Sequence, residues 1–224
     1  MLACYMDSTN LKPEVRESEI RTLCEEAVNY EMAAVCILPC RLAVARELLT
    51  GTKVKLCTVV SFPLGAELLS TKTYAAREAL NAGADELDVV INIGAVKDKR
   101  FRKVEREIQE LVRLKNDYEF LLKIIVETAL LEKYELAYLT EIISNAGADF
   151  IKTSTGFSSR GVSMEDIETI KRHKSSELKI KASGGIRELD FALQLVNAGV
   201  ERIGSSSAGY LVEEFIRRGG PLGR

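Results

Sequence analysis

Two lysines, Lys152 and Lys181, lie inside short segments that otherwise read as buried β-strand: Asp149-Phe150-Ile151-Lys152-Thr153-Ser154-Thr155 and Leu178-Lys179-Ile180-Lys181-Ala182-Ser183-Gly184-Gly185-Ile186. Lysine is seldom fully buried unless it is paired or at work. Burial disfavours the ammonium form and a neighbouring cation acts in the same direction, which frees an amine to attack near neutral pH. The natural target of such an amine is a carbonyl, with an imine as the product. A structural ion pair with an inward carboxylate is the competing explanation. Strand side chains alternate between faces, so Phe150, Lys152 and Ser154 share one face, and Lys179, Lys181 and Ser183 share another. The opposite faces, with Ile151, Ile180 and Ala182, suit packing against helices, which turns both lysines inward. Lys179, earliest on its strand, belongs at the solvated end. Lys123 is a third candidate, paired with Glu127 on its face, but it also comes early in its strand.

Asp88 shares an inward face with Glu86, Val90 and Asn92, where an isolated carboxylate would be costly. Facing the two lysines, it can balance one cation and pass protons through water. Asp7 and Thr9 share a face of a short first strand and suit sugar-hydroxyl binding or proton relay, with a helix N-cap before Pro13 as the rival role. The last two strands run into Ser183-Gly184-Gly185 and Gly204-Ser205-Ser206-Ser207, and Thr155-Gly156 follows Lys152. Glycine-rich strand endings of this kind present backbone amides to a phosphate. A carbonyl-attacking lysine, a proton-handling aspartate and a phosphate cradle together describe a Schiff-base lyase acting on a sugar phosphate.

A repeat marks the strands and helices that carry these residues. Asn81-Ala82-Gly83-Ala84-Asp85, Asn145-Ala146-Gly147-Ala148-Asp149 and Asn197-Ala198-Gly199-Val200-Glu201 each follow an amphipathic stretch and precede an apolar one. Each reads as a helix ending in a left-handed glycine cap before a strand. Extending outward predicts strands near 3–9, 33–39, 55–62, 86–93, 121–128, 150–155, 179–184 and 202–206. Helices are predicted near 14–31, 41–50, 66–82, 103–115, 132–146, 163–174, 187–198 and 207–218. Eight βα units spread over 1–224 predict an α/β fold, a single-domain (β/α)8 TIM barrel. The alternative, an open doubly wound sheet, lacks any Gly-x-Gly-x-x-Gly turn after a strand. Barrels of this kind carry a phosphate site on the loops after strands seven and eight, where the glycine-rich endings fall.

Composition narrows the function. Hydrophobic residues make up 46% and charged ones 29%, with a formal net charge of −2, so neither a nucleic-acid footprint nor a membrane patch is expected. The N-terminal residues lack a signal-peptide pattern and no apolar run is long enough to span a bilayer, which predicts a cytoplasmic protein. The cysteines (Cys4, Cys24, Cys36, Cys40 and Cys57) form no Cys-x-x-Cys and read as small buried hydrophobes, with Cys36 near the barrel mouth as a possible exception. His173, the single histidine, lies in a polar run at a helix end. Histidine-based triads and multi-histidine metal sites are therefore not supported.

Three segments resemble the signatures of deoxyribose-phosphate aldolases: Phe150 to Phe157, Lys181 to Arg187 and Asp85 to Gly94. The likeness runs along nearly the whole chain, including Ala34 to Ile37 and Leu122 to Thr128. It implies a class I, cofactor-free and metal-free enzyme that interconverts 2-deoxy-D-ribose 5-phosphate with D-glyceraldehyde 3-phosphate and acetaldehyde, within deoxyribonucleotide catabolism. Lys152 matches the Schiff-base lysine, a choice that strand alternation leaves open. Lys181 matches the lysine that tunes it, and Asp88 the acid/base aspartate. Asp7 and Thr9 match polar neighbours, and Gly184, Gly185, Gly204, Ser205 and Ser206 the phosphate-binding ends. A homodimer or larger homo-oligomer is the family expectation. Another Schiff-base sugar-phosphate aldolase and a non-catalytic sugar-phosphate-binding barrel are the rival readings. The chain departs from the family at Ser8, where histidine is common, at Ala75, where glutamate is common, and in Val96 to Arg100, which lacks the usual glycine. Its tail, Gly219 to Arg224, has no terminal tyrosine.

Overall fold

The computed structural model describes residues 2–221, and Leu222, Gly223 and Arg224 of the tail lie outside them. Eight parallel strands close into a barrel in chain order: β1 (Met6–Asn10), β2 (Ala34–Ile37), β3 (Lys55–Val60), β4 (Glu86–Val90), β5 (Leu121–Ile125), β6 (Phe150–Lys152), β7 (Lys179–Ser183) and β8 (Arg202–Ser205). Closure leaves no strand edge unpaired. Each predicted strand is present, shorter than its estimate at one end or both.

Around the barrel run α1 (Glu17–Asn29), α2 (Leu42–Leu49), α3 (Leu69–Asn81), α4 (Ile93–Lys97), α5 (Phe101–Val112), α6 (Lys133–Ala146), α7 (Met164–His173), α8 (Leu189–Asn197) and α9 (Ala208–Arg217). The main core lies between strands and helices: Leu87, Val89, Ile151, Ile180 and Ile203 face outward onto Ile108, Leu139, Ile170, Leu195 and other buried helix residues. Sequence punctuation sets the helix ends. Ser163 caps α7 through a hydrogen bond from the Asp166 amide, while Lys171, Arg172 and His173 complement the dipole at its far end.

The glycines of the repeat, Gly83, Gly147 and Gly199, take φ of 92°, 83° and 92°, the left-handed turn that ends a helix. The acid that closes each copy has a second task. Asp85 accepts a hydrogen bond from the Leu56 amide (2.8 Å), Asp149 from Leu122 (2.7 Å) and Glu201 from Ile180 (2.8 Å). Each acid thus ties the turn before an even-numbered strand to the start of the preceding odd one.

The short helix α4 was not among the predicted elements. Asn92 caps it by accepting from the Ala95 amide (2.9 Å), so its side chain serves the helix start. Lys99 holds φ 58° within the segment that lacks a glycine. Two of the five cysteines depart from expectation, since Cys4 and Cys40 are exposed while Cys24, Cys36 and Cys57 are buried.

Candidate active site

Register brings the chemistry together. Lys152 and Lys181 are Cα partners across β6 and β7, and Asp88 and Lys123 are partners across β4 and β5. All four side chains point into the barrel, and Asp88, Lys123 and Lys181 have no solvent exposure. One carboxylate oxygen of Asp88 receives both Lys152 Nζ (2.7 Å) and Lys181 Nζ (2.6 Å), and the other receives Lys123 Nζ (2.8 Å).

A second tier lies beneath. Lys181 also pairs with Asp7 (2.5 Å) and Lys123 with Glu86 (2.6 Å). Arg202 joins these two acids, donating through Nε to Asp7 (2.6 Å) and through Nη2 to Glu86 (2.7 Å). Cys57 donates to Asp88 at 3.2 Å, and Cys36 Sγ lies 3.8 Å from the same carboxylate.

Fixed charges follow from this network. Burial alone would raise the Asp88 carboxyl, but Lys123, Lys152 and Lys181 outweigh it and hold Asp88 well below the ordinary carboxylate range. Asp7 is likewise held low, with Arg202 and Lys181 overriding burial. Burial pushes the Lys181 ammonium down, yet Asp7 and Asp88 prevail and keep it above the ordinary lysine range. Lys123 is raised in the same way, with Asp88 as the leading partner against burial. Lys181 and Lys123 are therefore standing cations.

Above this layer, a cavity of about 340 Å³ opens at the C-terminal ends of the strands. Of the network lysines, Lys152 alone lines it, together with Thr9, Thr155, Gly156, Gly184, Gly185, Gly204, Ser205 and Ser206. Gly184 has φ 86°, and a Cβ there would meet the Gly161 Cα at 2.8 Å, so the chain can pass only as glycine. At Gly204 a Cβ would meet the Lys181 Cε at 3.3 Å, which leaves the space to the lysine stem. Ser205 Oγ ties the two glycine-rich endings by donating to the Ile186 carbonyl (2.7 Å), and α9 begins three residues later.

Several sequence expectations change. Asp7 does not line the cavity; it is fully buried beneath it, with its oxygens on Lys181 and Arg202. Neither Asp7 nor Thr9 caps a helix, because α1 starts from Arg16. Lys123 pairs with Glu86 and Asp88 rather than Glu127: β5 ends at Ile125, and Glu127, at φ 55°, turns out of the strand alternation. Glu127 instead accepts from the amide and hydroxyl of Thr155. Cys36 is wholly buried below the mouth and contributes nothing to its lining. Lys179 and His173 are exposed, as expected.

Sequence reasoning missed Arg202, Lys12 and Arg187. The first anchors the lower tier, and the other two bring cations to the cavity wall. The arginine two residues after Gly185 was a readable signal for an anion site; a single charge at the start of β8 was not. Cys36, Cys57 and Asp88 bring metal-binding atoms within 4.8 Å of one another, but lysine ammonium groups already sit on Asp88 and on Cys57. The set suits internal ion pairing better than a cation.

The chain is also similar to known proteins along nearly its whole length. The DeoC/LacD family aldolase profile matches residues 1–213. A deoxyribose-phosphate aldolase of Dictyoglomus turgidum is 47% identical over 206 residues, covering 92% of this chain and 93% of the relative. Among solved structures, the aldolase QR15 superposes with a TM-score of 0.92 at 40% identity, over 97% of each chain. A tetrameric deoxyribose phosphate aldolase from Aeropyrum pernix gives 0.88 at 35% identity, covering 96% of this chain and 91% of its own.

Proposed function

The chain belongs to the DeoC/LacD family of aldolases, and from that membership we propose that it cleaves 2-deoxy-D-ribose 5-phosphate reversibly to D-glyceraldehyde 3-phosphate and acetaldehyde through an imine on Lys152. The observation that carries the assignment is that Lys152 is the network amine that lines the cavity, while Lys181 is locked beneath it by two carboxylates.

The free amine of Lys152 adds to the C1 aldehyde and loses water to give a protonated imine. That imine is the electron sink. Removal of the C3 hydroxyl proton breaks the C2–C3 bond, and its electron pair moves into the imine to leave an enamine and D-glyceraldehyde 3-phosphate. Protonation of the enamine at C2 and hydrolysis release acetaldehyde and restore the amine. The iminium performs the activation that other aldolases obtain from a Lewis-acidic ion.

Asp88 joins the two amines through one oxygen, so two short hydrogen bonds form a proton path between Lys181 and Lys152. We assign Lys181 the tasks of proton donor and standing positive charge, and Asp7 the task of holding Lys181. The substrate phosphate is assigned to Gly184, Gly185, Gly204, Ser205 and Ser206, with the Arg187 and Lys12 cations nearby; Thr9, Thr155 and Gly156 complete the wall.

Among the described residues no helix is long and apolar enough to cross a membrane. We place the enzyme in the cytoplasm, in deoxyribonucleotide breakdown. A homo-oligomer is proposed from the tetrameric Aeropyrum pernix relative and from the exposed Leu64, Leu68, Tyr134 and Tyr138.

The test is borohydride reduction in the presence of acetaldehyde, followed by peptide mass spectrometry. A two-carbon adduct on Lys152 is expected, with none in folded Lys152→Ala protein and no aldol cleavage by that variant. An adduct confined to Lys181 would reverse the two lysine roles. Folded wild-type protein that forms no adduct would end the Schiff-base assignment.

A further inference from the structure

Every strand of the barrel contributes an ionisable group to one buried layer. Asp7 comes from β1, the Cys36 and Cys57 thiols from β2 and β3, and Glu86 and Asp88 from β4. Lys123, Lys152, Lys181 and Arg202 come from β5, β6, β7 and β8 in turn. With both thiols neutral, four cations thus face three carboxylates, a surplus of one positive charge among groups that are buried apart from the slight exposure of Lys152 and Arg202. Loss of one proton brings the layer to neutrality.

The geometry also says which amine releases it at least cost. Lys181 holds two carboxylates, at 2.5 and 2.6 Å, and Lys123 holds two, at 2.6 and 2.8 Å. Lys152 holds one carboxylate oxygen, at 2.7 Å, and it shares that oxygen with Lys181. The surplus itself originates at the bottom of the barrel. Arg202 cannot deprotonate, and it engages both Asp7 and Glu86, drawing on two carboxylates that also serve the lysines.

We propose that Arg202 and Glu86 are positioning residues that set the charge count of the interior layer and thereby the fraction of Lys152 present as the attacking amine, although neither touches the cavity. The inference rests on Lys152 being the nucleophile. Arg202 promotes the free amine and Glu86 opposes it, so their removal acts in opposite directions.

The experiment reads the free amine directly. Trace carbamylation of Lys152 with cyanate, followed by peptide mass spectrometry across a pH series, is run beside aldol turnover on the same proteins. Arg202→Gln removes a cation, and its acid limb is expected about one pH unit above that of the wild type, the order of effect of removing one nearby unit charge at an effective dielectric constant of about 20. Glu86→Gln removes an anion and moves the limb down by a similar amount. The double variant returns to the wild-type limb, as does Arg202→Lys, which keeps the charge. A merely structural role would lower yield or melting temperature in these variants without moving the limb.

Limbs that coincide across folded variants would overturn the proposal. If Arg202→Gln does not fold, Glu86→Gln and the double variant decide, and an unshifted limb in folded Glu86→Gln overturns it equally. Because labelling does not depend on turnover, failure of the aldolase reading shows separately, as a wild type that labels at Lys152 but neither traps acetaldehyde nor cleaves substrate.

Discussion

At the scale of single residues, the difference between Lys152 and Lys181 lies in their partners. Both are inward lysines in register, yet Lys181 is clasped by two carboxylates and stays charged, whereas Lys152 reaches the cavity. Lys181→Met removes a standing cation and the proposed proton donor together. Turnover should fall about 10²- to 10⁴-fold, the usual contribution of general acid–base catalysis, and the acid limb of kcat/KM should move to higher pH. A pH–rate profile of the folded variant checks both, and an unchanged profile would remove Lys181 from the mechanism. Strand alternation made Lys152, Lys181 and Asp88 legible from sequence because it reports which face a side chain takes. It does not report depth. Asp7 reads as a substrate contact for that reason, and Arg202, at the start of its strand as Lys179 is, carries no sign of its depth. Barrel strands are staggered, so Arg202 is level with Lys181 as its Cα partner, while Lys179 emerges into solvent.

At the scale of elements, the repeat carried most of what could be read. Its glycines mark three helix ends, and the acid after each glycine secures an adjoining strand. Asp149 also pairs with Lys115 at 2.6 Å. Asp149→Ala should cost about 1.5–3 kcal/mol, the range for a hydrogen bond to a charged group, while Asp149→Asn, which keeps an acceptor, should cost less. Urea unfolding with an unchanged slope reads the difference, and equal midpoints for the two variants would contradict a tie made by the side-chain acceptor. The helix α4 was illegible because five residues are too few to show a helical period, and its asparagine cap lies in an alternating strand pattern. Glu127 was misplaced for a related reason: its left-handed backbone ends the alternation that the sequence alone extends.

At the scale of the whole molecule, the buried layer links stability to pH. Asp7 and Asp88 titrate lower in the folded protein than in the unfolded chain, where aspartate titrates near pH 3.9. Their contribution is complete above that value and disappears as pH falls through the lower folded-state range. Lys123 and Lys181 titrate higher when folded, so their contribution is complete below about pH 10.4 and is lost as pH rises through the higher range. Melting temperatures across pH should therefore show the layer's losses outside these two limits. A steep loss between about pH 5 and pH 9 that disappears when Asp88 or Lys123 is replaced would contradict this. The eight-unit barrel was legible because each unit carries its own turn signals, whereas the layer arises only when all eight strands close.

That layer touches the outside through Lys152 at one end and the slightly exposed Arg202 at the other. Asp88 and Lys181 have no exposure, so a hydrogen passed inward from Lys152 rests on groups sheltered from solvent behind it. A hydrogen taken from the methyl group of acetaldehyde as the enamine forms is then expected to return in part to the same carbon. In deuterium oxide, the deuterium content of the recovered aldehyde set against the rate of enamine formation would measure that internal return.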